Sequence, residues 1–159
     1  SLMPTITIDS SGWKRLSKQL KNYLKTGILK NVDHASRKIA DLVQTHIKSG
    51  RTADDNPMPL VSEATMKSPI RHGSDKAIRG EVRSSRTPLF ARGGAIKSIK
   101  SKRRNNTFEV GPTTNHGKLV FEYNATKAKV KRDPIVVSEA HLDFIEKEIL
   151  NGLDKIIRG

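Results

Sequence analysis

The side chains that could support catalysis are few and scattered along this 159-residue chain. Asp54, Asp55 and Asp133 are the acidic residues in loop-like stretches, and they are the ones that could suggest a nuclease. A two-metal nuclease needs several carboxylates that converge on metal ions about 4 Å apart. Adjacent residues such as Asp54 and Asp55 direct their side chains apart. We therefore expect no enzymatic activity and no catalytic residues.

Histidines and glycines do not form a ligand-binding pattern either. A zinc site needs clustered His, Cys or acidic ligands at helical or knuckle spacing, but the chain has no cysteine and its five histidines are far apart. The histidines are His34, His46, His72, His116 and His141. Gly93-Gly94 lacks the spacing of a phosphate-binding loop. We expect no metal, no cofactor and no small-molecule ligand.

The basic residues carry the main chemical signal. Lysine and arginine number 30 against 16 acidic residues, which gives a formal charge of +14. Two tracts concentrate this charge: Lys97, Lys100, Lys102, Arg103 and Arg104 in the first, and Lys127, Lys129, Lys131 and Arg132 in the second. Such tracts bind nucleic acid through its phosphates, although aromatic residues for base stacking are only 4% of the chain. A solvated surface or an acidic protein partner explains the tracts equally well.

Two amphipathic helices are predicted in the N-terminal third, after a short strand at Thr5–Ile8. Trp13, Leu16, Leu20 and Leu24 recur at three- and four-residue steps, which is typical of one helix face. Gly27 interrupts this pattern, and we expect a helix end or a kink there. The apolar stripe resumes at residue 28 and continues to residue 47, and Ser49-Gly50 ends the helix.

The rest of the chain predicts a loop, a small sheet and a final helix. Residues 50–76 contain three prolines and form a long loop, with a short helical turn from Ser62 to Lys67. A hairpin is expected with strands at 95–102 and 107–110, followed by a third strand at 118–124. Ser138 caps the last helix. The prediction is an α+β fold in which a small antiparallel sheet packs against the long N-terminal helix and the C-terminal helix.

The same pattern defines one domain and its core. Ser1 and Leu2 precede Met3 and look like a cloning remnant, so we expect a single domain over residues 3–159. Both helical stripes are too apolar to face water, and they should pack on each other. The core residues expected from this argument are Ile28, Val32, Ile39, Leu42, Phe108, Leu142, Ile145 and Ile149.

No stretch of the chain reads as a membrane segment. None of its apolar runs approaches the roughly 20 residues that a membrane-spanning helix requires. The N-terminus has no apolar region of the kind found in secretory signals. We therefore expect neither membrane insertion nor secretion.

An ordered series of short motifs lies between the amphipathic helix that ends at Ser49-Gly50 and the final helix. It comprises Met58-Pro59-Leu60, Ser62, Thr65, Lys67, Leu89, Gly93, Ser98, Ile99, Val110-Gly111, Arg132, Pro134, Ile135 and Ser138. In order, spacing and position the series resembles the virion morphogenesis, or tail-completion, proteins of tailed phages, a family of minor tail and neck proteins. Met58 stands where tryptophan is usual in that family, and Ile135 replaces an aromatic residue.

The resemblance implies a structural role. Proteins of this family act at the head–tail junction, where they form rings and bind tail components. It therefore implies a virion component from a phage or prophage, assembled in the cytoplasm of the bacterial host. Its partners would be further copies of itself and other tail or neck proteins, with at most incidental contact to DNA.

We expect the partner contacts in the long loop and the basic tracts. The candidate residues are Met58, Pro59, Leu60, Arg103, Arg104, Lys129 and Arg132. Pro59-Leu60 is apolar within a polar loop, as expected of an anchor that docks on a neighbour. We also expect residues 50–76 and 113–131 to become ordered only in the ring, so that deleting 52–70 would weaken assembly but leave the domain folded.

Overall fold

The computed structural model describes residues 11–70, 80–83, 85–89, 94–105, 107–136 and 138–159. The strand predicted at Thr5–Ile8 lies outside these ranges. The fold is α+β, as predicted from the sequence. Its elements in chain order are α1 (Ser11–Asn22), a π-helical turn (Tyr23–Gly27), α2 (Ile28–Lys48), α3 (Glu63–Lys67), α4 (Gly94–Lys97), β1 (Ile99–Arg104), β2 (Thr107–Pro112), α5 (Asn115–Thr126) and α6 (Glu139–Arg158).

The N-terminal helix passes through Gly27 instead of ending there. The π-helical turn joins α1 to α2 with helical backbone angles on both sides, so the irregularity at Gly27 is a local widening of the helix. The Tyr23 ring lies against Gly27, where a Cβ would come within 2.5 Å of the ring carbon Cδ2. The Tyr23 hydroxyl donates to the carbonyl of Ile149 at 2.9 Å and thereby ties this turn to α6.

The ends of α2 and α6 follow the local signals in the sequence. At the end of α2, Gly50 has φ +79°, and the amides of Gly50 and Arg51 donate back to Ile47 and His46 at 3.0 and 2.9 Å. This is the Schellman arrangement that glycine favours. At the start of α6, the Ser138 hydroxyl accepts from the His141 amide at 3.2 Å. Both predicted helix ends are therefore confirmed.

The hairpin is shifted toward the C-terminus relative to its prediction. β1 pairs antiparallel with β2 from Ile99 opposite Pro112 to Arg104 opposite Thr107. Residues 95–97, which were expected to begin the first strand, lie in α4 instead. β2 continues through Gly111 to Pro112 and does not stop at Val110. The described residues contain only this two-stranded sheet.

The predicted third strand is wrong, because residues 118–124 lie in α5. Thr114 caps this helix by accepting from the Gly117 amide at 3.0 Å. Phe121 is buried, whereas Leu119 and Tyr123 are more than half exposed. In a strand the three side chains would share a face, but in a helix Phe121 points away from the other two. The alternating pattern was therefore misleading here.

The core forms around α2. Its buried residues are Ile39, Val43, Ile47, Ala53, Met58, Ala95, Ile96, Ile99 and Phe121. The hairpin packs on α2, where Ser36 and Ser101 share a hydrogen bond at 2.6 Å and Gln44 donates to the carbonyl of Ile99 at 2.6 Å. The helix α6 packs along α2 and α1. Its side chains Phe144 and Ile145 border the core.

Two of the predicted core residues are wrong. Ile39 is buried as expected, but Leu42 is 45% exposed and Leu142 is 56% exposed. The buried stripe of α2 advances in steps of four residues from Ile39 to Val43 and Ile47, and Leu42 falls beside that stripe. An apolar helical pattern alone indicates the buried side of a helix but does not resolve its edges.

The described part of the long loop, residues 50–70, is built into the domain. Its amides donate to distant carbonyls: Ala53 to Pro134 at 2.7 Å, Val61 to Arg86 at 2.9 Å and Ile70 to Glu81 at 2.8 Å. The side chains of Ala53 and Met58 belong to the core. The expectation that this segment orders only on assembly is therefore wrong for residues 50–70. Deleting 52–70 would remove core side chains, so we now expect the deletion to unfold the domain.

The segment 113–131 is also ordered within the single chain. Most of it forms α5, and beyond that helix the amide of Arg132 donates to the Asn124 carbonyl at 2.7 Å. The expectation that this segment orders only in the ring is wrong as well. Both segments therefore have a defined structure within the single chain.

Ile39→Ala and Leu42→Ala distinguish the core from its edge. We expect Ile39→Ala to lower the free energy of unfolding by about 2–5 kcal/mol, because it opens a cavity in the core. Leu42→Ala should cost less than about 1 kcal/mol, because its side chain already contacts water. Urea denaturation followed by circular dichroism measures both. Equal losses for the two variants would contradict this arrangement of the core.

Candidate protein interface

Arg132 connects the two ends of the motif series. Its Nε donates to the carbonyl of Pro59 at 2.8 Å, and its Nη2 donates to the carbonyl of Leu60 at 3.1 Å. A planar guanidinium can serve two neighbouring carbonyls at once, which a lysine cannot do in the same geometry. Partial burial lowers the pKa of Arg132, and a group of such high intrinsic pKa stays charged at neutral pH. We call this contact the Arg132 clasp.

Local turns bring Arg132 to this position. After α5 the chain folds back, and the amides of Lys127 and Ala128 both donate to the carbonyl of Tyr123. Two residues beyond Arg132, the buried Pro134 accepts from the amide of Ala53. The segment is therefore fixed on both sides of the arginine.

The three predicted loop residues have different environments. Met58 is only 6% exposed and belongs to the core of its own chain, so its side chain offers almost no surface to a partner. Pro59 is exposed, and Leu60 is 56% exposed. The Arg132 clasp thus fixes the backbone beneath an apolar side chain that faces solvent. Val130, two residues before Arg132, is also 46% exposed.

The acidic residues of the loop are engaged in its own turns. Arg51 Nε lies 2.6 Å from Asp55 Oδ1, and its Nη2 donates to the Asp55 carbonyl at 2.6 Å. Asp55 itself has φ +66°. Asp54 accepts from the Thr52 hydroxyl and from Asn56 Nδ2. The hydroxyl of Thr52 is the main cause that lowers the pKa of Asp54, followed in the same direction by other local hydrogen bonds.

The hairpin separates its two arginines onto opposite faces. Alternate residues of a strand face opposite sides, so Ile99, Ser101 and Arg103 share the side toward α2. Arg103 lies over the Phe108 ring, 5.7 Å from its centroid. The opposite side carries Lys100, Lys102 and Arg104, all exposed. Arg104 Nε is 3.9 Å from Glu109 Oε2, which offsets part of that charge.

Lys129 lies in the second basic tract and is exposed, as are Lys127 and Lys131. Among the described residues it is in no ion pair. The structure therefore brings Pro59, Leu60 and Arg132 into one site, with Lys129 three residues from the clasp along the chain. Arg103 and Arg104 belong instead to the hairpin end.

Sequence reasoning missed one residue that supports this site. Arg86 donates from Nε to the carbonyl of Val61 at 2.9 Å, and its own carbonyl accepts the Val61 amide. This fixes the chain immediately after Leu60. Arg86 and Val61 are 25 positions apart, and no local pattern in the sequence relates them.

The described residues form neither a metal site nor a membrane-spanning helix. The described ranges hold no group of three or more His, Cys, Asp or Glu residues that could bind a metal ion. None of the helices described is both long and apolar enough to cross a bilayer. A shallow, open depression of about 290 Å³ lies between the π-helical turn and α6, lined by Gln19, Asn22, Tyr23, Thr26, Gly27 and Ile156.

Comparison with protein-family models, with curated proteins and with solved structures found no match to this chain. The assignment of a function therefore depends on the site itself and on the motif series that contributes to it.

Arg132→Ala should loosen the clasp without removing the core. We expect the free energy of unfolding to fall by about 1–2 kcal/mol, because two charge-assisted hydrogen bonds are lost. Hydrogen exchange at the Val61 amide should become faster, because the preceding carbonyls are no longer held. Lys131→Ala is the matched control, since Lys131 is exposed and adjacent. Identical exchange at Val61 in both variants would mean that Arg132 does not restrain this loop.

Proposed function

We propose that this chain is a structural subunit of tail completion or head–tail joining in a tailed phage or prophage. In this role it assembles with copies of itself into a ring and docks on tail or neck proteins. The observation that carries the proposal is the Arg132 clasp. It joins Arg132 to Pro59 and Leu60 over more than 70 positions, and these residues belong to both ends of the motif series that resembles tail-completion proteins.

The clasp also gives this region the properties of a docking site. Both carbonyls beneath Leu60 already have hydrogen-bond donors, so covering them with a partner leaves neither acceptor unpaired. Burying the Leu60 side chain would contribute up to about 1.5–3 kcal/mol. Because the loop is fixed before binding, little conformational entropy is lost when it docks. Exposed lysines at 127, 129 and 131 directly precede Arg132 in the chain and add positive charge to this segment, which favours an acidic partner surface.

Ring formation is the first test of this proposal. We expect the purified protein to form closed oligomers whose fraction grows as salt rises, because salt screens the repulsion between copies of charge +14. Light scattering across a salt series measures the mass, and negative-stain electron microscopy shows whether the particles are closed. A protein that stays monomeric at every salt and protein concentration would refute the assembly proposal.

Docking is tested separately from ring formation. Leu60→Ser should keep the ring but bind poorly to isolated tails of the phage that encodes the chain. Leu119→Ser is the matched control, because Leu119 is similarly exposed on α5 at 55% against 56% for Leu60. Equal binding by the two variants would exclude Leu60 as the docking residue.

The outer face of the hairpin favours nucleic-acid binding as the second candidate function. Lys100, Lys102 and Arg104 lie on one side of the strand, where they could follow a phosphate backbone. A protein dedicated to this role should hold duplex DNA with sub-micromolar affinity near physiological salt. For a structural subunit we expect binding that is lost steeply with salt, measured by fluorescence anisotropy between about 50 and 200 mM. Tight binding that persists and prefers one sequence would favour this alternative.

A further inference from the structure

One flank of α6 presents apolar side chains to solvent. Leu142, Leu150 and Ile157 are 56%, 54% and 62% exposed. At about 100° per residue they fall within about 80° of one another around the helix axis. No residue of α6 is fully buried, so a long amphipathic helix retains apolar surface that its own chain does not cover.

Acidic residues border the same flank. Glu139, Asp143 and Glu146 are exposed, and their spacing of four and then three residues places them on one side of the helix. Within the described ranges none of the three is in an ion pair. We call these acids together with the apolar residues the α6 flank: Glu139, Leu142, Asp143, Glu146, Leu150 and Ile157.

Helix α1 presents the opposite charge at the same spacing. Lys14, Lys18 and Lys21 are exposed and also follow one another by four and then three residues. The helix contains no acidic residue, and in the described structure its lysines have no ion-pair partner. Leu24, one turn beyond Lys21, is 65% exposed. We call this surface the α1 lysine face.

Asp143 of the α6 flank cannot pair with Lys18 of its own chain. The contact between α1 and α6 uses the second half of α6, where Tyr23 bonds to Ile149 and Gln19 lies near Ile156. Asp143 is 13 residues from Ile156, which is about 20 Å along the helix. Asp143 is therefore far from Lys18 of the same molecule, which lies next to Gln19, and no ion pair joins the flank to these lysines within the described residues.

We propose that the α6 flank of one copy docks on the α1 lysine face of a second copy, an inference that rests on the proposed self-assembly. With the helices parallel, Glu139 meets Lys14, Asp143 meets Lys18 and Glu146 meets Lys21. Leu142, Leu150 and Leu24 then supply apolar contact beside the charges.

Charge complementarity favours a second copy as the occupant. The chain has 16 acidic residues against 30 basic ones, and α6 alone carries Glu139, Asp143, Glu146, Glu148 and Asp154. This helix is thus the place where a strongly basic chain can attract another copy of itself. The two surfaces differ, so the contact is heterologous and can repeat from copy to copy until a ring closes.

Charge reversal at the central pair tests the contact. Asp143→Lys and Lys18→Glu should each weaken self-association by on the order of tenfold, because each places like charges opposite one another. The matched controls are Glu122→Lys and Lys118→Glu, which change the net charge equally on exposed positions of α5. We expect the controls to remain within about twofold of the wild type. Sedimentation velocity at the lowest salt concentration at which the wild type assembles, where these ion pairs are screened least, compares all five proteins. Thermal melts followed by circular dichroism check folding.

Mixing Asp143→Lys with Lys18→Glu tests whether the two positions pair directly. In an equal mixture, the lysine that Asp143→Lys introduces meets the glutamate that Lys18→Glu introduces, and the native pair forms at the next contact. Alternating copies should therefore assemble again, and the double variant should assemble alone. Rings that survive both single changes would overturn this interface while leaving the assembly proposal intact. If both single variants fail to assemble and neither the mixture nor the double variant assembles either, the pairing of these two helices would be overturned.

Discussion

The buried stripe of α2 is the constraint on which the rest of the molecule depends. Ile39, Val43 and Ile47 are each less than 10% exposed, and the hairpin, α4, α5 and the long loop all contribute side chains to the cluster around them. Small residues beside the stripe, Ala35 and Ala40, allow neighbouring elements to approach the helix closely. With apolar residues at only 35% of the chain, one helix face organises the packing of the hairpin, α4, α5 and the long loop.

Features that depend on nearby residues could be predicted from the sequence. The caps at Ser62 and Ser138 and the helix end at Gly50 are confirmed, because a hydroxyl or a glycine acts within four residues. The strand predicted at 118–124 failed because alternating apolar residues fit a helix or a strand equally well. Tertiary packing decides between the two: Gly117 lies so close to the Ser98 hydroxyl that any Cβ at that position would collide with it.

The candidate site was predicted as separate residues but not as a geometry. The motif series that resembles tail-completion proteins singled out Pro59, Leu60 and Arg132, yet no periodicity relates positions more than 70 residues apart. The sequence pattern also does not distinguish Met58, which is buried, from Leu60, which is exposed. That difference arises because Met58 turns toward α2 while its amide is held by the carbonyl of Gly50. Such contacts depend on the completed fold and leave no local pattern in the chain.

The helix runs without a break from Ser11 to Lys48 and is the longest element of the described structure. Lys18 lies near one end, and Gln44, which binds the hairpin at Ile99, lies near the other. The two residues are 26 positions apart, which corresponds to about 40 Å along the helix. Between them, the Tyr23 hydroxyl donates a hydrogen bond to the Ile149 carbonyl of α6. If copies associate through α1 as proposed, the hairpin lies about 40 Å along the helix from that contact. Substitutions that change how copies associate would then leave the hairpin and the Arg132 clasp unaltered.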